Sequence, residues 1–362
     1  MSLTLVTGGT GFLGRHLVAA LRTRGEPVRV LARPSSDVAG LPEVEVVRGD
    51  ITSRDDLARA LAGVNRVFHT AAETRDGQPA SVYKAVNSEA VETLLGLAHE
   101  LGVERVVHTS SYFAIGRTGE PRSAPDQVAD EYWTHDPGDM HDAHEESKYD
   151  AEHAVNQRVS SSEPVLALIP TMIYGPETRP VGQPERLAPG NRIVRLLADH
   201  ARGRYPGVPG TGRQLWNLVH VDDVVAGHLA AMDGEGPGSR WPPPRWGHWH
   251  YILGGENVSV DELFARFGRL AGVRPPGKVG PGGLFQKLLG GGSGRTRERY
   301  AMDSHSWAYT SAMAARDFGF KGRPLDEGLP ATVDWMRRCG LLGGPGSAGG
   351  PGSSGAVAPS KG

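Results

Sequence analysis

The glycine-rich stretch TGGTGFLG, residues 7–14, constrains the fold more than any other segment of the chain. It follows the apolar run LTLV and precedes an amphipathic stretch, so it joins a predicted strand to a predicted helix. Glycines at such a turn let backbone amides approach a pyrophosphate at the positive N-terminus of the helix. We therefore expect a dinucleotide site here, the alternative being a plain strand-to-helix turn. The expected contacts are Gly8, Thr10, Gly11, Phe12, Leu13 and Gly14.

Six runs of apolar and β-branched residues predict buried parallel strands. The runs are LTLVTG, PVRVLAR, VEVVRGD, RVFHTAA, RVVHTSS and VLALIPTMIYG. Helical patterns such as LGRHLVAALRTRG alternate with them, which indicates repeated βαβ units. We predict an α/β fold, a Rossmann doubly wound parallel sheet with a smaller C-terminal substrate lobe. Its ligands should bind at the carboxyl ends of the strands, where the strand order reverses.

After residue 175 the sequence becomes rich in Pro, Gly and Arg, and we place the predicted domain boundary there. We assign 1–175 to the Rossmann domain, with return segments near 215–255, and 176–338 largely to the substrate lobe. Helices are expected in that second half near 190–203, 222–232, 259–271 and 325–338. WPPPRWGHWH, at 241–250, reads as an inserted surface loop before a strand, HYILG. The Gly/Ser/Pro-rich segment 340–362 is expected to be a disordered tail.

Composition narrows the class of partners. The chain has 362 residues, of which 38% are hydrophobic, so it can bury a large core. No apolar run approaches the ~20 residues of a membrane span, and a net charge of −2 offers no basic field for nucleic acid. With Cys339 as the one cysteine and no signal-like leader, we expect a cytoplasmic protein that acts on a small molecule.

Residues after the predicted strands suggest further cofactor contacts. Arg33 follows the second strand, where a cation accommodates the 2′-phosphate of NADP and an acidic residue would favour NAD. Asp50 and Ile51 follow the third strand and are expected to flank the adenine, although Asp50 could instead be a helix N-cap. The pair Ala71 and Ala72 leaves room for the ribose and nicotinamide. Pro170, at the end of the sixth strand, completes the expected set.

These motifs occur in the order typical of one superfamily. TGGTGFLG, GDI, VFHTAA, HTSS, the SK-x-x-AE helix, IYGP and LVHVDDV together resemble the extended short-chain dehydrogenase/reductases, the NAD-dependent epimerase/dehydratase family. The resemblance covers about residues 2–338. VRVLARPSSD, TSSYFAIG, YILGGENVS and LDEGLPATVDWMR are most similar to its dihydroflavonol-reductase-like and farnesol-dehydrogenase-like branch.

The resemblance implies roles for particular residues. The family's catalytic Ser or Thr falls on Ser111, with Ser110 beside it, and orients the reacting oxygen of the substrate. Its lysine falls on Lys148, which would bind the nicotinamide ribose and lower the pKa of a tyrosine. Asn87 matches an asparagine of the preceding helix, although a solvent-facing residue would look the same. The resemblance also implies a possible homodimer through helices near 81–101 and 142–158.

His144 stands where the family has its tyrosine. Imidazole has an ordinary pKa of about 6.5, and a neighbouring lysine should push it lower, so the ring would be mainly neutral and a poor proton donor. The ring is also shorter than a phenol, although a water could bridge the gap. Tyr149 lies about 100° round the helix, and no spacing argument supports Tyr132. Three hypotheses stay open: catalysis by His144, cofactor binding with little turnover, and altered chemistry.

Several other polar groups have competing interpretations. His135, His141 and His144 could hold zinc, but no Cys or HExxH spacing supports this, so we predict no metal. The pair Asp222 and Asp223 favours capping of a helix rather than acid/base work. The remaining candidate substrate contacts, for which core packing or solvation is the alternative, are Thr171, Tyr174 and Arg179.

The sequence therefore predicts an NADP- or NAD-dependent oxidoreductase that interconverts an alcohol and a carbonyl on a largely apolar small molecule. Two alternatives remain. One is a nucleotide-sugar epimerase or dehydratase, and the other is a catalytically weak dinucleotide-binding or redox-sensing protein.

Overall fold

The secondary structure alternates strands and helices over the first half of the chain. The computed structural model describes residues 2–119, 127–133, 140, 142–161, 163–179, 181, 184–234, 250–279 and 303–342. The strands are β1 (Thr4–Thr7), β2 (Val28–Ala32), β3 (Glu45–Arg48), β4 (Arg66–His69), β5 (Arg105–Thr109), β6 (Val165–Pro170), β7 (Met172–Tyr174), β8 (Val208–Pro209), β9 (Leu215–His220), β10 (His250–Leu253), β11 (Glu256–Ser259) and β12 (Lys278–Val279).

Helices connect most of these strands. They are α1 (Phe12–Thr23), α2 (Arg54–Leu61), α3 (Ala80–Tyr83), α4 (Ala90–Glu100), α5 (Tyr112–Ile115), α6 (Ala143–Ser160), α7 (Arg192–Ala201), α8 (Val221–Asp233), α9 (Val260–Ala271), α10 (Ala312–Phe318) and α11 (Leu325–Arg338). A π-helical turn, Lys84–Glu89, joins α3 to α4, and a 3-10 turn spans Pro184–Arg186.

The large sheet has seven strands in the order β10-β6-β5-β4-β1-β2-β3, and every pair is parallel. Strand order reverses between β1 and β4, which places a ligand-binding crevice at their carboxyl ends. Alternate residues of β1 face opposite layers: Leu5 packs in the cluster that includes α2 and α4, and Val6 in the one that includes α1 and α8. The predicted Rossmann sheet is confirmed.

The sixth predicted strand is two strands, which corrects the sequence interpretation. The run VLALIPTMIYG breaks at Thr171, where β6 ends in the large sheet and β7 begins in a three-stranded sheet of order β11-β9-β7. The hydroxyl of Thr171 donates to Oδ1 of Asn217 over 2.8 Å, which fastens the break. A third core cluster then fills the space between the small sheet and α7, α9 and α11.

The helices expected in the second half are present as α7, α8, α9 and α11. The cap of α8 differs from the expected one, because His220 is the N-cap and its ring accepts from the amide of Asp222. The two aspartates lie in the first turn instead, where they complement the helix dipole. Asp223 also accepts hydrogen bonds from two nitrogens of Arg323, at 2.9 and 2.7 Å.

Two sequence predictions fall outside the described residues, namely the Trp-rich insertion up to residue 249 and the tail from residue 343. Of the helices in the described ranges, none combines the length and the apolarity that crossing a membrane requires.

Candidate active site

The glycine loop is built by close backbone approach between β1 and α1. Gly8 has φ +71°, and a Cβ there would lie 2.6 Å from the amide nitrogen of Ala71. A Cβ on Gly14 would lie 2.1 Å from the carbonyl oxygen of Gly8. Gly11 is the N-cap of α1, and no side chain caps the helix there. The turn is therefore as tight as glycine allows, and the first amides of α1 stay available to an anion.

A cavity of about 440 Å³ opens beside this loop. The carboxyl ends of β2 to β6 contribute to its wall, as α6 does. The structure brings together all of the expected cofactor contacts along this cavity: Gly8, Thr10, Gly11, Phe12, Leu13, Gly14, Arg33, Asp50, Ile51, Ala71, Ala72, Lys148 and Pro170.

One end of the cavity carries an exposed cation. Arg33 follows β2 directly, and its guanidinium donates no hydrogen bond to the part of the chain that the structure describes. Asp50 accepts from the amide and hydroxyl of Thr52, at 2.9 and 2.8 Å. It does not cap α2, because Ser53 is that N-cap. Arg33 is therefore placed where an additional phosphate could bind it.

Lys148 is buried in the middle of α6 and lines the cavity. Burial lowers the pKa of its ammonium to about 8, although the carboxylate of Glu152 opposes the shift. Glu152 is itself held by the ring of His250, with 2.9 Å between Oε1 and Nδ1. Within the described ranges Lys148 donates no hydrogen bond, so the cavity contains a buried donor that lacks an acceptor.

Two serines end β5 beside the lysine. Ser111 begins α5 as its N-cap, with Oγ accepting from the amide of Phe113 at 3.3 Å, and it lines the cavity. Ser110 also lines the cavity, and its Oγ is buried without a hydrogen-bond partner among the described residues. Either hydroxyl can therefore serve a ligand oxygen, and Ser111 is the more accessible of the two.

His144 lies one helical turn before Lys148 and lines the same cavity. Its ring stacks on Tyr83, with 5.0 Å between ring centroids, and meets the edge of Phe113 at 5.1 Å. Burial first, and then the charges of Lys148 and Arg192, lower its pKa to about 3. Nε2 is buried and has no partner among the described residues. The ring is therefore neutral near pH 7, and it is both a weak base and a weak acid.

Tyr149 and Tyr132, the tyrosines that the sequence offers near this position, do not line the cavity, and neither does Tyr83. Tyr132 is 67% exposed. Tyr83 donates its hydroxyl to the carbonyl of Arg75 at 2.6 Å, so its oxygen is already engaged. The one tyrosine found on the cavity wall within the described chain is Tyr112, next to Ser111.

Part of the cavity wall is mainly apolar. This part is formed by side chains of α5, β7, α7 and β9, namely Phe113, Met172, Ile193, Leu196 and Trp216. Three polar groups, Tyr112, Arg192 and Asp303, lie among them. Sequence reasoning missed these three, because Arg192 follows a Pro-Gly turn and Asp303 is distant in sequence, so only the tertiary fold joins them to the site.

The expected substrate contacts are placed differently from one another. Thr171 lines the cavity, but its hydroxyl is used by Asn217. Asn87 is buried away from it, where its amide binds the backbone of Glu73 at 2.8 and 3.2 Å and the hydroxyl of Ser147 at 3.1 Å. It therefore ties the loop after β4 to α6 and faces neither solvent nor ligand.

Two further candidates lie outside the cavity wall. Tyr174 packs against the ring of His220 within the core, with 5.3 Å between ring centroids. Arg179 pairs with Glu177 at 3.3 Å. The histidines proposed for zinc cannot be compared as a set, because His135 and His141 lie outside the described residues, and among those described no cluster of three metal-binding side chains occurs.

The fold and the site define a dinucleotide-dependent enzyme. Four features of the described residues all fit NAD(P): a glycine cradle that a Cβ would fill, an α1 N-terminus without a side-chain cap, an exposed cation after β2 and a buried lysine that donates no hydrogen bond. Residues 4–240 match the model of the NAD dependent epimerase/dehydratase family, and the chain belongs to this family. Its cofactor is accordingly NAD(P).

The names of similar proteins refer to different classes of small molecule. It is 35% identical over 291 residues to "Sterol demethylase protein B" of Methylococcus capsulatus, covering 79% of each chain. It is 29% identical to a "Putative dihydroflavonol 4-reductase" of Synechocystis over 93% of this chain and 95% of the relative.

Solved structures agree with the fold. The crystal structure of gox2253 matches with a TM-score of 0.75 and 31% identity over 94% of this chain and all of that one. MoeE5 in complex with UDP-glucuronic acid and NAD matches with a TM-score of 0.67 and 27% identity, over 92% of this chain and 99% of that one.

Proposed function

We propose that the chain is an NAD(P)-dependent oxidoreductase that interconverts an alcohol and a carbonyl on a largely apolar small molecule. The observation that carries this proposal is the cavity itself. The same cavity combines the glycine loop, Ser111 and Lys148 with a wall of aromatic and aliphatic side chains. The sterol and dihydroflavonol names of two relatives support an apolar ring ketone or alcohol as the substrate class.

Particular residues would hold the cofactor. The loop from Gly8 to Gly14 takes the pyrophosphate, Arg33 takes the 2′-phosphate of NADP, and Lys148 binds the nicotinamide ribose. Bound NAD(P) supplies or accepts the hydride. We favour NADP, because Arg33 directly follows β2 and its guanidinium forms neither a hydrogen bond nor a close ion pair with the described residues.

The chain's own groups handle the substrate oxygen and the proton. The hydroxyl of Ser111 donates to the carbonyl oxygen and fixes its position. The ring of His144 is a poor proton donor, because its pKa is about 3 and the ring is almost fully deprotonated near neutral pH. The pKa of Lys148, about 8, lies closer to neutral pH. Proton delivery from Nζ of Lys148, directly or through one water, is therefore the route that this site favours.

The test combines binding with turnover. NADPH and NADH affinities are measured by fluorescence, and oxidation of NADPH is then followed with steroid ketones, dihydroflavonols and medium-chain ketones. The proposal expects tighter NADPH binding and measurable reduction of at least one ketone. Lys148→Met should abolish turnover, whereas Lys84→Met, an exposed lysine paired with Glu89, should not change it. Absence of binding to either nucleotide would refute the proposal.

A second candidate is a dinucleotide-binding protein with little turnover. The observation that favours it is the low pKa and unpartnered Nε2 of His144. It predicts normal NADPH affinity with no reduction of any ketone in the panel. The nucleotide-sugar alternative predicts an NAD that stays bound through purification, and the apolar wall beside Trp216 fits a sugar nucleotide less well.

A further inference from the structure

Arg192 is a half-buried cation on the apolar part of the cavity wall, with 27% of its side chain exposed. It is the first residue of α7 and shares the cavity wall with Ile193, Leu196 and Trp216. Nη2 of its guanidinium is buried and has no hydrogen-bond partner, and the side chain donates no hydrogen bond to any residue that the structure describes. An arginine has five N–H donors, and a buried donor without an acceptor costs free energy. The site therefore has unused donors that a ligand can satisfy.

The charges around Arg192 decide which ligand group fits. Nη1 lies 3.5 Å from the carboxylate of Asp76, and Nη2 lies 3.8 Å from that of Asp303. Two carboxylates thus lie within ion-pair distance of one guanidinium and offset its charge, so they would repel an added anion. An uncharged oxygen, in contrast, can accept from Arg192 without this repulsion.

Tyr112 adds a second donor beside the arginine. Its side chain lines the cavity, and burial raises the pKa of its hydroxyl, while Arg192 partly opposes that rise. The hydroxyl is therefore protonated at neutral pH and can donate to an oxygen of the ligand. Ser111 and Lys148 belong to the strand and helix next to the cofactor loop, whereas Arg192 belongs to α7, which packs against β7 in the second lobe.

We propose that Arg192 binds a second, uncharged oxygen of the substrate, a hydroxyl or carbonyl group distinct from the one that reacts. This inference rests on the proposed oxidoreductase function and deepens it. The substrate would thus be an apolar ring system with a second oxygen besides the reacting one. Arg192 selects among apolar ketones, and the cofactor loop and Lys148 do not depend on it.

The test uses three steroid ketones that share one carbon skeleton and carry at the far ring a hydrogen, a hydroxyl group or a carboxylate. We expect the wild type to prefer the hydroxylated ketone over the unsubstituted one by about ten- to a hundredfold in kcat/KM. Arg192→Met should lose this preference through KM and keep its NADPH affinity. Arg269→Met, an exposed arginine of α9, should behave as the wild type.

The outcomes separate this proposal from the proposed function. If NADPH binds and no ketone is reduced, the oxidoreductase assignment fails, and the preference is read by equilibrium binding of the three ketones instead. Loss of the preference in Arg192→Met supports the role of Arg192. A preference that survives in Arg192→Met, no preference for the hydroxylated ketone in the wild type, or tighter binding of the carboxylate would overturn it.

Discussion

The ring of His144 is held by aromatic contacts and not by hydrogen bonds. Tyr83 stacks on one face, the edge of Phe113 approaches from another side, and Nε2 meets no polar group among the described residues. The charge of Glu73 favours an imidazolium, but burial and the charges of Lys148 and Arg192 outweigh it, which explains why the pKa of the ring falls so far. The position is thus shaped for an uncharged ring.

A tyrosine at position 144, where the sequence resemblance predicts one, should therefore raise turnover. In His144→Tyr, a phenol near Lys148 can donate a proton, and we expect kcat to rise by about tenfold or more. His144→Phe is the matched variant, because it adds the ring without the hydroxyl and should gain nothing. Steady-state kinetics with NADPH and the best ketone of the panel give the answer. Equal activity in the two variants at the wild-type level would contradict the gain expected from the phenol, and a collapse of activity in both would show that His144 itself is the working acid/base.

Arg33 is expected to set cofactor choice. Replacing it in Arg33→Asp removes the partner of the 2′-phosphate and offers a carboxylate to a 2′-hydroxyl, so preference should move from NADPH towards NADH by about tenfold or more. Fluorescence titration of both nucleotides measures this. Arg269→Asp, exposed on α9, serves as the charge control. Unchanged affinities for both nucleotides would leave Arg33 without this role.

At the scale of elements, the sequence predicted best where the pattern was local and repeated. Apolar runs followed by helices gave the strands β1 to β5, and the glycine spacing placed α1. It failed where distant residues decide: the break at Thr171 depends on Asn217, and the cap of α8 depends on how His220 leaves β9. Arg192 and Asp303 were missed for the same reason, since no local pattern marks residues that meet only across a cavity.

The first turn of α1 should not tolerate a side chain at position 14. A methyl group there would meet the carbonyl oxygen of Gly8 at 2.1 Å, so Gly14→Ala must displace the loop and should weaken NADPH binding by about a hundredfold. Gly96→Ala, in the interior of α4, is the matched change, because its nearest neighbour is the end of Arg158 at 3.5 Å.

That second variant should bind NADPH normally and gain about 0.5–1 kcal/mol in free energy of unfolding. Nucleotide titration and urea unfolding of both proteins test the pair. Normal NADPH affinity in Gly14→Ala would contradict the close approach of loop and helix.

At the scale of the whole molecule, three histidines are sealed between the sheet and its helices. His69 and His108 stack with 5.2 Å between ring centroids, and His228 binds the hydroxyl of Thr109 at 2.9 Å. Burial lowers the pKa of His69 to about 3 and that of His228 to about 4, and places that of His108 well below its ordinary value. Each ring is therefore neutral in the folded protein at pH 5 to 7.

Mild acid should destabilise the fold through these rings. The unfolded chain takes up protons below its histidine pKa of about 6.5 while the folded rings do not, so the free energy of unfolding falls as pH drops, by about 2 kcal/mol per ring between pH 7 and 5. His108→Leu should remove the contribution of one ring to this pH dependence, since neither ring nitrogen of His108 has a partner among the described residues. Urea unfolding at both pH values tests this, with exposed His153→Leu as control. Equal pH dependence in wild type and His108→Leu would contradict the account.

The position of His144 between two aromatic rings also has a consequence for how such a chain evolves. Histidine and tyrosine codons differ by a single base at the first position. A position that already accepts a flat, uncharged ring between two aromatic side chains is suited to other aromatic rings. A single base change therefore separates His144 from the tyrosine that the family resemblance predicts there.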